Sequence, residues 1–166
     1  MIFDTNKIPE VIKDSFSVER NGPLGTKMIF KEGEIDDGMV YIEGFCEEML
    51  NLNFNSILVV GLGLGIIPQY IAENALNCKE IDVLDNNNEL IDWVTQTNYL
   101  NSKINIIEGD CFTYVPPKKH DLILIDIWWD PFLAAEKTEE LVAKYSEYLD
   151  NRGDIYIPLL ELMIPK

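Results

Sequence analysis

The sequence has few cysteines, histidines and basic residues. Its 166 residues include 3 cysteines and 1 histidine, and 13 lysines and arginines stand against 29 aspartates and glutamates. The cysteines are scattered without any metal-ligand spacing, so we expect reduced structural thiols, no metal site and a cytoplasmic protein. A single histidine also disfavours a metal hydrolase and Ser–His or Cys–His catalysis. We expect this residue, His120, to be exposed in a turn after two lysines.

Long apolar runs and positive charge are missing as well. No apolar run reaches the roughly 18 residues of a membrane helix, and the first ten residues lack a signal-peptide pattern. A formal net charge of −16 repels phosphate backbones and anionic headgroups. We therefore expect neither nucleic acid nor membrane as a partner. The 47% hydrophobic content is typical of a packed globular core.

From residue 56 onwards, apolar strand patterns alternate with amphipathic helix patterns. We predict strands over 57–60, 81–84, 103–107, 121–125 and 155–157, and helices over 64–76, 88–100 and 134–149. We expect 151–153 to end the last helix. Strands alternating with helices through short connections predict an α/β fold: a doubly wound, mostly parallel Rossmann-like sheet of about five core strands.

The first 38 residues differ from the rest because they contain most of the turn residues, at 21–23, 25, 33 and 37–38. Two short strand patterns, over 16–18 and 26–30, lie between these turns. We therefore predict a small N-terminal β-hairpin appendage over 1–38 and a Rossmann-like domain over 39–166. An amphipathic helix is predicted over 40–50.

Three alternating glycines, Gly61, Gly63 and Gly65, follow the first strand of the predicted parallel sheet. Ligands of such sheets bind beyond the carboxyl ends of the strands. Alternating glycines allow backbone N–H groups to approach a ligand, although they could equally serve strand-to-helix packing. Ile66 stands where a dinucleotide fingerprint has its third glycine, which disfavours a nicotinamide or flavin oxidoreductase.

Aspartates follow the next three strands at the same edge. Asp85 could accept hydrogen bonds from both hydroxyls of a ribose, or it could form a turn before a helix cap at Asn88. Asp110, which precedes Cys111, could accept from an adenine amino group or cap a short helix over 111–115. Asp126 directly follows the fourth strand. Together with the glycines, these acids predict a nucleoside pocket.

Two adjacent tryptophans, Trp128 and Trp129, follow Asp126 and precede Asp130. Exposed indoles are costly unless they pack against something, so they indicate either a ligand wall or a cover for the core. With Asp130 they would form an anionic, aromatic-walled slot for a cationic amine.

These residues resemble the class I S-adenosylmethionine-dependent methyltransferase fold, most closely its spermidine (polyamine) synthase-like branch. The resemblance runs from about residue 24 to 131 and rests on the stretches 57–65, 83–91, 107–112 and 121–126. It implies a cofactor, S-adenosylmethionine or its decarboxylated form, with S-adenosylhomocysteine or methylthioadenosine as the product. The residues that it assigns to the cofactor are Gly61, Gly63, Gly65, Asp85, Asp110 and Cys111. It further implies Asp126 as the catalytic acceptor of a proton from the attacking amine.

The sequence departs from that branch at several positions. Leu62 and Leu64 stand in the loop where synthases carry an acid, bulky residues follow Asp126, and we expect the sixth and seventh strands of the full fold to be lacking. We therefore predict a transferase that moves a methyl or aminopropyl group to a small acceptor such as an amine. The alternative is a catalytically inactive nucleoside-binding or structural relative. An unpaired fifth strand also predicts a homodimer.

Overall fold

The computed structural model describes residues 7–20, 26–30, 33–35, 53–127 and 131–157. The helix predicted over 40–50 lies outside the described residues, as does the proposed domain boundary after residue 38. The division into two domains therefore stays a prediction.

The N-terminal part forms a four-stranded antiparallel sheet in chain order. Its strands are β1 (Val11–Ile12), β2 (Phe16–Arg20), β3 (Thr26–Phe30) and β4 (Gly33–Ile35). The predicted hairpin is the central pair, in which Phe16 lies opposite Phe30. Strands β1 and β4 extend this hairpin, and the sequence pattern missed them because they are only 2 and 3 residues long.

The second sheet contains five parallel strands in the order β7-β6-β5-β8-β9. The strands are β5 (Ser56–Val60), β6 (Glu80–Asp85), β7 (Ile104–Glu108), β8 (His120–Ile125) and β9 (Leu149–Tyr156). The described helices are α1 (Ile66–Asn74), α2 (Asn88–Thr97) and α3 (Pro131–Ser146). The strand order reverses between β5 and β8, so the doubly wound α/β fold is confirmed and its switch point lies there.

The apolar runs of the central strands are continuous because both faces of the sheet are covered. On one face, Ile57 and Val59 belong to a core cluster that also contains Phe16 of the N-terminal sheet. On the other face, Leu58 and Val60 belong to a cluster with α3 residues, including the fully buried Tyr145.

Strand β9 corrects the prediction at the end of the last helix. Helix α3 ends at Ser146, and 149–156 form a strand, so residues 151–153 do not end a helix. The strand lies at the edge of the described sheet. It carries Asp150, Arg152 and Asp154, and such a polar sequence is also typical of a turn. Its pairing with β8 is a tertiary contact that the sequence does not indicate. The backbones of the two strands approach so closely that a Cβ on Gly153 would lie 3.0 Å from the Asp121 carbonyl oxygen.

The expectation that His120 is exposed was wrong. It is the first residue of β8 and is 1% exposed. Its Nε2 atom lies 3.1 Å from Oδ2 of Asp82, which also accepts from Lys118 Nζ (3.0 Å), while Asn105 Nδ2 donates to Oδ1 (2.9 Å). Burial opposes ionisation of Asp82, but these three partners outweigh it and lower the pKa of its carboxyl. This charged cluster lies toward the amino ends of β6 and β8, away from the predicted site.

Candidate functional site

Three backbone hydrogen bonds extend the parallel sheet just beyond the strands at its carboxyl edge. They run from Gly109 N to Asp85 O (2.9 Å), from Gly61 N to Leu84 O (2.8 Å) and from Asp126 N to Val60 O (2.8 Å). The loops that follow β5, β6, β7 and β8 therefore begin side by side. The structure thus places the predicted glycines and aspartates at one edge of the sheet, at the switch point where α/β folds bind ligands.

Residues 61–65, which we call the glycine loop, pass very close to the loop after β8. Gly61 has a φ of +107°, and a Cβ there would lie 2.1 Å from the carbonyl oxygen of Asp126. Gly65, with a φ of +69°, precedes α1, and a Cβ there would meet the Leu100 side chain at 2.8 Å. The close approach to Asp126 therefore requires a glycine at position 61 without any ligand, and the positive φ favours a glycine at position 65. Contact of their amides with a ligand stays a prediction.

The two leucine side chains of the glycine loop are buried in the core, and its backbone is hydrogen-bonded by side chains from outside the loop. Leu62 is 3% exposed and Leu64 is 0% exposed. The Tyr99 hydroxyl donates to Leu64 O (2.9 Å), and Leu62 N donates to Oδ2 of Asp85 (2.8 Å). The loop is consequently held by Tyr99, which follows α2, and by Asp85, which ends β6.

Asp85 binds two backbone amides with its two carboxylate oxygens. Oδ2 accepts from Leu62 N and Oδ1 accepts from Asn87 N, each at 2.8 Å. A carboxylate has about four acceptor positions, so these two bonds leave about one on each oxygen. The turn-forming role is therefore present, yet half of the acceptor capacity remains for a pair of hydroxyls. The cap of α2 is Asn87, not Asn88: its Oδ1 accepts from Leu90 N at 3.0 Å.

Asp110 is exposed at the same edge and forms a local turn. Its Oδ1 accepts from Phe112 N at 2.7 Å, and residues 111–113 form a turn instead of the alternative helix over 111–115. Pro116 explains this difference, since a proline disfavours helical backbone at the residue before it. Contact of Asp110 with an adenine stays a prediction.

Cys111 connects this turn to α3. Its carbonyl oxygen accepts from Lys144 Nζ (2.9 Å) and from the Tyr145 hydroxyl (3.0 Å). Burial, followed by the nearby charge of Asp110, raises the pKa of the Cys111 thiol to about 11. The thiol is therefore neutral at pH 7 and packs against the core cluster that contains Tyr145, while contact of Cys111 with a cofactor stays a prediction.

Asp126 is exposed and lines a small cleft with the glycine loop and the start of α1. The cleft is lined by Gly61, Leu62, Gly63, Ile66, Ile67, Pro68 and Asp126. Asp85, Asp110 and Cys111 are not part of this lining, and of these three only Asp85 is hydrogen-bonded to the glycine loop, through Leu62 N. Trp128, Trp129 and Asp130 lie outside the described residues, and their substrate-binding role stays a prediction.

Two features are absent from the ranges that the structure describes. No group of three or more His, Cys, Asp or Glu side chains in those ranges could hold a metal ion. No helix in those ranges is long and apolar enough to span a bilayer.

Sequence reasoning missed several residues that shape this edge. The Leu62 amide and the Tyr99 hydroxyl carry no sequence signal, because their partners lie 23 and 35 residues away. Asn87 could have been found, since an Asn two residues before an acid in a predicted first helical turn is typical of an N-cap. Ser15 and Glu89 were also missed; they hydrogen-bond across 74 residues.

Comparison with known proteins gives no match at the sequence level: no family model matches the chain, and no curated protein matches it. Solved structures do match. The N-methyltransferase NodS from Bradyrhizobium japonicum WM9 aligns with a TM-score of 0.56 and 17% identity, over 74% of this chain and 70% of that one.

Two other N-methyltransferases align similarly. Coclaurine N-methyltransferase, bound to N-methylheliamine and SAH, has a TM-score of 0.54 and 19% identity, over 76% of this chain and 36% of that one. Glycopeptide N-methyltransferase MtfA has a TM-score of 0.55 and 15% identity, over 73% and 53%. The chain thus spans only about a third to a half of these two proteins. None of the three is a polyamine synthase, so that branch gains no support. The described part of the chain therefore shares the α/β fold of these three methyltransferases.

Proposed function

We propose that this protein is a methyltransferase that uses S-adenosylmethionine and a small-molecule acceptor. The observation that carries the proposal is the carboxylate of Asp85. Two backbone amides fix its orientation, one of them from the glycine loop, and one acceptor position remains on each oxygen. Two adjacent acceptors match the two neighbouring hydroxyls of a ribose. The fold supports the same cofactor, because coclaurine N-methyltransferase was solved with SAH.

The chain's own residues would mainly bind and orient the reactants. S-adenosylmethionine would supply the methyl group together with its own thioether leaving group. Asp85 would hold the ribose, Asp110 the adenine amino group, and the cleft beside the glycine loop would align the acceptor with the methyl carbon. Asp126 lines that cleft and would accept the proton that an amine loses on methylation.

The glycine loop favours methyl transfer over aminopropyl transfer. An aminopropyl donor is cationic at its amine end, and the synthase-like branch implies an acid in this loop to bind it. Here Leu62 and Leu64 occupy those positions and are buried, so neither offers a carboxylate. Decarboxylated S-adenosylmethionine therefore remains the weaker candidate.

The variant Asp126→Asn tests the catalytic role. General-base catalysis contributes about 10²–10⁴-fold, so we expect turnover to fall by at least about 100-fold while affinity for S-adenosylhomocysteine stays unchanged. The assay is mass spectrometry of a reaction with S-adenosylmethionine and a panel of small amines. Asp92→Asn, an exposed acid of α2, is the matched control. Equal activity of both variants would refute the role of Asp126. In a parallel reaction with decarboxylated S-adenosylmethionine as the donor, release of methylthioadenosine would indicate aminopropyl transfer.

A second candidate is a non-catalytic relative that binds a nucleoside and transfers nothing. The exposure of Asp126 favours it, because general bases usually act in sites from which water is excluded. The same reaction separates the two candidates: binding of S-adenosylhomocysteine without turnover on any amine would establish the non-catalytic one.

A further inference from the structure

A single carboxylate connects the N-terminal sheet to the first turn of α2. Oε2 of Glu89 accepts from the Ser15 hydroxyl (2.6 Å) and from Ser15 N (2.8 Å), while Oε1 accepts from Asp14 N (3.2 Å). Ser15 immediately precedes β2, and Glu89 is the second residue of α2. We call these three hydrogen bonds the Ser15–Glu89 contact.

The contact is made by an ionised acid and is supported by packing. The hydrogen bonds, first that of the Ser15 hydroxyl and then that of its amide, lower the pKa of Glu89, so this carboxyl is charged at neutral pH. Charge-assisted bonds of this kind are stronger than neutral ones. Next to them, the Phe16 ring meets the edge of Trp93 with 5.6 Å between ring centroids. The N-terminal sheet is therefore held against α2 at two adjoining points.

The same contact leads directly to the proposed ribose acid. Asn87 Nδ2 donates to the Ser15 hydroxyl oxygen (3.3 Å). Asn87 N donates in turn to Asp85 Oδ1, and Leu62 N donates to Asp85 Oδ2, both at 2.8 Å. A continuous series of hydrogen bonds thus runs from Glu89 through Ser15, Asn87 and Asp85 to the glycine loop. The first two residues of this series, Glu89 and Ser15, lie outside the glycine loop and outside the strands of the parallel sheet.

We propose that the Ser15–Glu89 contact lets the N-terminal sheet set the geometry of the 85–87 loop and thereby the affinity for the adenosyl ligand. Ser15 and Glu89 are positioning residues: Ser15 restrains the Asn87 side chain, and Asn87 N holds one oxygen of Asp85. This inference rests on the proposed function. The competing explanation is that the contact only docks the N-terminal sheet.

The test compares Glu89→Ala with Asp92→Ala in the full chain. Both variants remove one negative charge from α2, but only the first breaks the contact. Calorimetry measures binding of S-adenosylhomocysteine, and NMR measures hydrogen exchange of the Leu62 and Asn87 amides without ligand. We expect Glu89→Ala to weaken binding about tenfold and to speed exchange of both amides relative to the core amide of Ile123. Asp92→Ala should change neither. Glu89→Gln keeps an acceptor oxygen and should recover part of both effects.

Each result bears on a different claim. If Glu89→Ala lowers the melting temperature yet leaves ligand affinity and the relative exchange of Leu62 and Asn87 unchanged, the contact only docks the sheet and the inference is wrong. If the wild-type chain does not bind S-adenosylhomocysteine, the proposed function fails, while the exchange measurement still tests the link from Glu89 to the loop. Should Glu89→Ala not fold, Ser15→Ala removes the hydroxyl alone, and the same measurements decide.

Discussion

Gly61 lies where the chain leaves β5 and passes the carbonyl of Asp126. In Gly61→Ala, the added Cβ meets backbone at 2.1 Å, and φ is +107°, a value that L-residues avoid. Backbone cannot move aside as a side chain can, so we expect a loss of about 2–5 kcal/mol in the free energy of unfolding.

The matched variant is Gly65→Ala, whose Cβ meets only the side chain of Leu100. It should cost about 1–2 kcal/mol, mostly from its positive φ. Urea denaturation measures both values. A loss in Gly61→Ala no larger than that in Gly65→Ala would show that the two loops are further apart than described.

The positions of candidate site residues were predictable where those residues lie at the end of a strand or directly after it in the sequence. Asp85 ends β6 and Asp126 directly follows β8. Parallel strands bring their carboxyl ends together, so the placement of both residues followed from the pattern. The partners of these residues were not predictable. Glu89 and Ser15 meet only because the N-terminal sheet packs on α2, and burial of His120 depends on the register of β8.

Elements were predictable where burial leaves a clear pattern. Strands β5, β6 and β8 are apolar because helices or the N-terminal sheet cover both faces, and their predicted ranges agree with the structure to within two residues. Strand β9 was mispredicted in part because it is an edge strand whose first half, over 149–153, is polar. Short pairing partners such as β1 have no periodicity to detect.

The charged cluster shared by β6, β7 and β8 predicts an acid-sensitive element. The pKa of Asp82 is lowered in the folded state, so its contribution to stability is present above the ordinary carboxyl pKa of 3.8. That contribution is lost as the pH falls through the lower pKa of the folded protein. Asp82→Asn removes it and should cost about 1–3 kcal/mol at pH 7.

Denaturant unfolding between pH 2.5 and pH 7 checks this prediction. The difference in unfolding free energy between wild type and Asp82→Asn should shrink as the pH falls below about 4. Asp92→Asn, in an exposed position on α2, should keep a difference near zero throughout. A gap between wild type and Asp82→Asn that does not change with pH would contradict the role of the ionised Asp82.

At the scale of the whole molecule, β9 leaves one edge of the parallel sheet without a neighbour among the described strands. Exposed strand edges tend to pair, so we still expect two copies to join there as a homodimer. Sedimentation equilibrium at micromolar concentration should give about twice the 19.0 kDa of one chain. A monomer under those conditions would contradict this expectation. Cytoplasmic location and the absence of nucleic-acid partners also stay predictions, based on composition and charge.

The central claim is that the carboxyl edge of the sheet binds an adenosyl group through Asp85. Isothermal titration calorimetry with S-adenosylmethionine and S-adenosylhomocysteine tests it most directly. We predict saturable binding of one ligand per chain, weakened at least about tenfold in Asp85→Ala because two hydrogen bonds to a charged acceptor are lost. Asp92→Ala should bind like the wild type. An absence of binding heat with both compounds, or equal affinity of Asp85→Ala and wild type, would contradict the claim.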